Sequence, residues 1–350
     1  MADHSERTEP CYADRTYLSV STLVNFARCP RRYFYDKCGL RGEGLMLAPR
    51  YGSAMHIAVP IALSNLDLDS KETLNLAMEG FLSSWVEVEE EIEAVGWEDK
   101  KGHNRRCAER SLAHYIHTHK EGRSIFKLTP PPEGALPDDA LAVGEKTSPW
   151  EVPWAIDIGL DVPLCGFLDS TCTHRDTGEP WIWELKTTSR LNSQFFEAHD
   201  MYVQNMTYTL VGQTLDVPVA GVMVEAMLKS PKKVDNQVQM VPVQGHHLDA
   251  IMTWLHRVGG DLLNCEKTYN NLLEEHDGDM LLASAAFYQD FTGCTPYSHF
   301  YMPGWRCDYA DLCRVPDWQM LTDLYKVVPD HNFLAVTVDP DATRKASKTK

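Results

Sequence analysis

Asp169, Glu184 and Lys186 are the residues of this chain whose types and spacing could do chemistry together. Asp169 ends an apolar run. A turn rich in Asp, Thr, Gly and Pro follows, and WIWELK then places Glu184 and Lys186 two apart. On a strand, residues i and i+2 share a face. A hairpin closed by that turn would bring Asp169 beside the pair. Two acidic oxygen donors and one ammonium would then converge, a set suited to a divalent ion and an attacking water. Farther on, Gln204 and Tyr208 sit one helical turn apart on one face. The ordinary alternative for the three charges is a salt-bridge network on an exposed hairpin. The apolar strand WIWELKTTS argues against it, because a central strand half-buries its charges and buried charge needs a partner or a metal.

The elements that must position these residues are legible from periodicity. Short strand-like runs broken by turns fill 141–172, 181–187 is a strand, 192–215 a helix, and 219–228 a buried strand. Upstream, Ser19 or Ser21 caps a short helix, and Pro30 starts another at its first turn. Residues 51–63 begin a helix that Pro60 kinks or ends. Leu74, Ala77, Met78, Phe81, Leu82 and Trp85 recur at helical spacing over 70–94, and the acidic run at 87–93 reads as a solvated face. Residues 103–120 form another amphipathic helix, with Arg105, Arg106 and Arg110 available to a substrate. His114, His117 and His119 read as surface residues, since their spacing matches no closed zinc site. Together, 60–125 suggest a helical insertion able to roof the site. The proline-rich stretch 127–140 is a linker, and 231–245 a loop or ragged hairpin. A long helix over 247–276 is expected to break or bend at Gly259-Gly260.

Asp169, Glu184-Leu185-Lys186 and Gln204-x-x-x-Tyr208 together resemble the signature of the PD-(D/E)xK nuclease superfamily. With His56 in GSAMH upstream, they are similar to its RecB-like, AddB-like branch, which includes the CRISPR-associated spacer-acquisition nuclease. The resemblance implies an α/β fold: a restriction-endonuclease-like core with a mixed central sheet, flanked by helical insertions and a C-terminal cysteine cluster region. It implies an N-terminal segment 1–50, a helical insertion 51–140, the nuclease core 141–230, C-terminal helices and cysteines 231–325, and a mostly flexible tail 326–350. It makes His56, Asp169 and Glu184 ligands of Mg²⁺ or Mn²⁺, with the Leu185 carbonyl a further ligand. Lys186 would orient or deprotonate the attacking water, and as a base it would need a lowered pKa. Gln204 and Tyr208 would position the lysine or a substrate phosphate. Glu145 corresponds to an acidic residue on the family's first core strand. The implied activity is metal-dependent hydrolysis of DNA, as an exonuclease on ends or single strands in recombination, repair or phage replication. The alternative is a nuclease-fold DNA-binding or assembly subunit of a helicase or recombinase complex, with little activity alone.

Cys294-x12-Cys307-x5-Cys313 and the remote Cys29 make four thiols, which suit an iron–sulfur cluster or zinc. The form S-x-x-x-F-x-x-C-P-R-R-Y around Cys29 is similar to the opening of iron–sulfur members of the RecB-like group, which place one cysteine before the core and three after it. That resemblance implies a 4Fe-4S cluster, with zinc as the alternative. The x12 gap is longer than the family's usual one. Buried reduced cysteines are the simpler reading of the same residues.

The 350 residues carry a net charge of -17, which by itself argues against a nucleic-acid binder. Phosphate binding rests on local cation density, however. Arg31, Arg32 and Arg190 are the candidate phosphate contacts. The acidity then requires a confined basic channel, or a helicase, recombinase or annealing protein that delivers DNA. Hydrophobic content of 43% with 24% charged residues is an ordinary soluble balance, and no apolar stretch is long enough for a membrane span. A polar, acidic N-terminus is unlike a secretory signal, so the expected setting is the cytoplasm of a prokaryote or of a virus's host. No G-x-x-x-x-G-K-[ST] loop is present, so the chain is not itself a motor.

Overall fold

A computed structural model describes residues 17–37, 40–41, 47–94, 102–129, 151–200, 202–214, 219–276 and 326–327. In chain order the elements begin with α1 (Val20–Arg28), α2 (Pro30–Lys37), β1 (Leu40–Arg41), α3 (Leu47–Ser64), α4 (Ser70–Ala94) and α5 (Arg105–Lys120). Then come β2 (Phe126–Thr129), β3 (Val152–Ile156), β4 (Leu164–Leu168), β5 (Ser170–His174), β6 (Pro180–Thr188), α6 (Ser193–Asp200) and α7 (Val203–Thr214). The last are β7 (Gly221–Leu228), β8 (Asn236–Pro242), α8 (Gly245–Glu275) and β9 (Lys326–Val327). They fall into two compact units. One comprises Met1–Gly44, Asp157–Leu164 and Thr253–Lys350; the other comprises Leu45–Ile156 and Cys165–Met252.

The second unit holds a mixed five-stranded sheet in the order β2-β5-β6-β7-β8. Its centre follows from composition. Every residue of β7 (GVMVEAML) is buried, as are Trp181 to Leu185 of β6. Strands buried on both faces read as continuous apolar runs, and β6 and β7 are the parallel pair that this predicts. The β5–β6 hairpin is antiparallel, with Ser170 opposite Trp183. Gly221 opens β7 where β8 comes closest, and a Cβ there would collide with the Val241 carbonyl. β3 and β4, expected among the core strands, form a separate two-stranded sheet, and Leu164 of β4 also bridges Leu18 in parallel.

On one face of the sheet, α3, α4 and α5 pack Tyr51, Met55, Phe81, Trp85, Leu112 and Tyr115 into a core with Trp181, Trp183, Leu185, Met223 and Met227. Burial of each such aromatic contributes roughly 1.5–3 kcal/mol. The expected helical roof is therefore corrected. These helices are a structural layer of the sheet itself, their apolar stripes packed against Trp181, Trp183 and Leu185 of β6. Pro60 neither ends nor splits α3, which continues to Ser64. Its missing N–H deprives the His56 carbonyl of its usual i+4 donor. His119 is also corrected: only 6% exposed, it lies against the Tyr115 ring, with centroids 4.3 Å apart. The helix expected over 192–215 is two helices, α6 and α7. The stretch 231–245 contains β8.

In the first unit, Ser19 is the cap of α1, its hydroxyl accepting from the Thr22 N–H. Cys29 ends α1, buried, and its Sγ accepts from the Arg32 N–H at 3.4 Å. The Tyr33 hydroxyl donates to Glu266 at 2.6 Å, and the Phe34 and Tyr269 rings stack at 5.4 Å. α8 runs unbroken through Gly259-Gly260. A Cβ on Gly259 would sit 2.6 Å from Leu160, so the glycine serves close packing and the expected break does not occur. Among the described residues no helix is long and apolar enough to cross a membrane.

Candidate active site

The register of the β5–β6 hairpin determines where the acidic residues meet. With Ser170 opposite Trp183, Asp169 stands next to Glu184, as the spacing in the sequence predicts. The Leu185 N–H donates to Asp169 Oδ2 at 2.9 Å, which fixes that carboxylate against the strand. The other oxygen, Oδ1, lies 3.4 Å from His56 Nδ1, brought in on α3. Glu184 and Lys186 share a face of β6, and the Lys186 ammonium donates to Glu184 Oε1. α7 supplies Gln204, whose amide donates to Glu184 Oε1 at 3.1 Å and to the Tyr208 hydroxyl at 2.6 Å. Lys186 Nζ reaches Gln204 Oε1 at 3.4 Å. The Tyr208 ring is held edge-on by Trp154 at 6.3 Å. His56, Asp169, Glu184, Lys186, Gln204 and Tyr208 thus form one connected cluster.

Glu184 is the exception within it. Its side chain is 1% exposed, and its Oε2 is buried with no hydrogen-bond partner among the described residues. A carboxylate oxygen left in that state costs free energy comparable to a lost charged hydrogen bond. Burial, with Asp169 beside it, pushes Glu184 up from the ordinary 4.5 to about 7, against the pull of Lys186. Asp169 goes the other way. Burial would raise it, but His56, Lys186 and the Leu185 N–H hold it below the usual value. Burial would lower His56, and Asp169 outweighs it, so the imidazole is raised. Lys186 is likewise raised, since Glu184 and Asp169 overcome its desolvation. With these neighbours alone, the ammonium is poised to hold charge and orient a ligand, and the lowered pKa a base would need is not present. Burial, with Glu184 and Asp169, also raises Tyr208 well above 10, so it stays a neutral donor.

The donor set of two carboxylates and one imidazole fits the chemistry of Mg²⁺ or Mn²⁺, and the buried Glu184 Oε2, unmet among the described residues, is an oxygen donor such an ion would accept. Among the described residues no three His, Cys, Asp or Glu side chains are already drawn together as a cage. Instead His56 lies against Asp169, and Lys186 against Glu184.

The other candidates lie elsewhere. Arg190 is exposed just past the end of β6, its backbone tied to the Thr188 hydroxyl. Cys29 and the half-buried Arg32 belong to the first unit. The side chain of Arg31, and Glu145, Cys294, Cys307 and Cys313, lie outside the described residues. One residue that periodicity did not single out is Glu225 on β7, opposite Leu185 in register. It is fully buried, accepts from the Tyr115 hydroxyl at 2.7 Å and Trp183 Nε1 at 2.9 Å, and lies 3.5 Å from His119. A lone acid inside the apolar run VMVEAML was the available signal.

Among curated protein sequences none matches the chain. A solved structure, the crystal structure of SSO0001, is similar over 72% of this chain and 77% of that one, at 13% identity and a TM-score of 0.28. Residues 17–314, well over half of the chain, match the PD-(D/E)XK nuclease superfamily. The matched span contains every member of the cluster around Glu184, and the chain belongs to that superfamily.

Proposed function

We propose that the chain is a metal-dependent deoxyribonuclease of the RecB-like branch, acting as an exonuclease on DNA ends or single strands. The observation that carries this reading is the buried Glu184 oxygen without a partner, next to Asp169, His56 and Lys186. Asp169, Glu184 and His56, with the Leu185 carbonyl, would hold Mg²⁺ or Mn²⁺. When bound, the ion supplies a lowered pKa to a water and charge stabilisation at the phosphate. Lys186 holds the attacking water or a non-bridging phosphate oxygen and offsets developing negative charge. Gln204 bridges Glu184 and Tyr208 and keeps the lysine's acceptor in place. Tyr208, neutral throughout the useful pH range, donates to substrate or to that network.

Cys29 with Cys294, Cys307 and Cys313 is proposed as the ligand set of a 4Fe-4S cluster, with zinc as the alternative; visible absorbance of purified protein separates the two. The net charge of -17 favours a partner that delivers DNA, such as a helicase, recombinase or annealing protein. The test of function is cleavage of end-labelled and circular single- and double-stranded DNA with Mg²⁺ or Mn²⁺. Activity confined to linear DNA and abolished by Lys186→Ala is expected. Cleavage by that variant at the wild-type rate would reject the centre.

A further inference from the structure

The ends of the two central strands carry cations that the site around Glu184 does not use. Thr188 ends β6 two residues beyond Lys186, and its carbonyl accepts from the Lys229 N–H at 2.8 Å. That bond joins the segment leading to exposed Arg190 to the loop Lys229-Ser230-Pro231-Lys232-Lys233. The Ser230 hydroxyl accepts from the Lys232 N–H at 3.2 Å and the Lys233 N–H at 3.3 Å, so the loop is a closed turn with both lysines exposed. α5 adds a second cationic edge. Arg110 Nη1 donates to the Pro231 carbonyl at 2.7 Å, and the Ser111 hydroxyl donates to the Leu228 carbonyl at 3.2 Å. One turn earlier, Arg106 is exposed, and the first turn of α5 contains no acid. Lys229 itself is only 7% exposed, its ammonium 5.9 Å from the Tyr51 ring centroid. The acids in these segments are Asp235, paired with Lys233 at 2.8 Å, and exposed Glu109.

In a chain with 50 acids and 33 lysines and arginines, so tied a group of cations is a local reversal of sign. We propose that Arg106, Arg110, Arg190, Lys232 and Lys233 form a track for the phosphate backbone of a single DNA strand, leading off the C-terminal ends of β6 and β7 from the hydrolytic site. The proposal rests on the nuclease reading and deepens it. Lys186 and Arg190 are four residues apart on an extended chain, at most about 14 Å, so a strand with one phosphate at Lys186 would meet these cations with its next few phosphates. Contacts of this kind set affinity and position and carry no sequence preference. They also answer the chain's overall acidity: the channel needs only local positive potential.

The test measures binding of the full chain to a fluorescein-labelled single-stranded oligonucleotide by anisotropy, in EDTA so that nothing is cleaved, across a salt series. Arg106→Gln/Lys232→Gln/Lys233→Gln removes three exposed cations. Its plot of log K against log salt is expected to flatten by about 2, at about 0.7 per lost contact, and its affinity at low salt to fall at least tenfold. Lys71→Gln/Lys127→Gln/Lys267→Gln removes equal charge from exposed positions elsewhere and should keep the wild-type slope. Equal slopes for the wild type and the first variant, or equal flattening in both variants, would overturn the track. Cleavage assays on the same proteins separate the two readings. Wild-type cleavage with a silent track variant leaves the nuclease and removes the track. Track-dependent binding by a wild type that cleaves nothing with Mg²⁺ or Mn²⁺ keeps the track and removes the nuclease.

Discussion

Two glutamates lie buried in adjacent central strands, and they are solved in opposite ways. Glu225 faces the helical layer, where Tyr115 and Trp183 donate to one oxygen while His119 and Asn236 stand 3.5 Å from the other. Glu184 faces α7, with Lys186 and Gln204 both on one oxygen and, among the described residues, no partner on the other. A buried acid whose oxygens are all met is part of the architecture. One that takes a lysine and a glutamine on one oxygen, lies beside a like-charged aspartate and leaves its other oxygen unmet among the described residues is the one proposed to receive an ion. The contrast sets a satisfied acid beside the one proposed to hold an ion, within a single sheet.

The largest effect that could break this contrast is on cleavage. Lys186→Ala is expected to lower the rate by about 10³-fold, roughly 4 kcal/mol in barrier, with an unchanged far-ultraviolet circular dichroism spectrum. Loss of the spectrum along with activity would make Lys186 a structural residue like Glu225. Next in size is a stability difference read from urea unfolding. Glu225→Ala orphans the Tyr115 hydroxyl and the Trp183 N–H and should cost about 3 kcal/mol or more. Glu184→Gln removes a poorly solvated charge and should leave the ion-free protein as stable as the wild type, or more so. Gln204→Ala removes one bridge to a buried carboxylate, so a drop of about 10- to 100-fold in kcat with KM little changed is expected from steady-state kinetics.

The smallest effect is the pH dependence of ion binding. Glu184 holds its proton more tightly folded than unfolded. In the ion-free protein its contribution to stability is therefore full below 4.5 and is lost as pH rises through about 7. An ion must displace that proton, so the rise in Tm caused by Mn²⁺ should grow from pH 6 to pH 8. A Tm shift independent of pH over that window would separate the ion from Glu184.

Much of this was legible in the residues because the pattern is local. The run WIWELK declared a central strand, and the turn before it fixed the register that puts Asp169 beside Glu184. The helix over 70–94 was declared by its apolar period. What was not legible depended on distant packing. Gly259-Gly260 reads as a break in isolation, and only the approach of Leu160 turns it into a contact point. Pro60 reads as a kink or an end, but α3 is held by the core on both sides of it and continues to Ser64. His119 reads as polar surface, and its burial follows from Tyr115, Phe126 and Glu225 closing around it. The lone acid in VMVEAML marked Glu225 as unusual, but its role was not legible, because its partners come from α5, β6 and β8.

The most direct measurement is calorimetric titration of Mn²⁺ into the wild type, Glu184→Gln and Glu225→Gln at pH 8. One saturable site is predicted in the wild type, retained in Glu225→Gln and lost or weakened at least 100-fold in Glu184→Gln. Equal binding by Glu184→Gln and the wild type would show that the open oxygen of Glu184 does not await an ion, and the distinction between the two buried acids would fall.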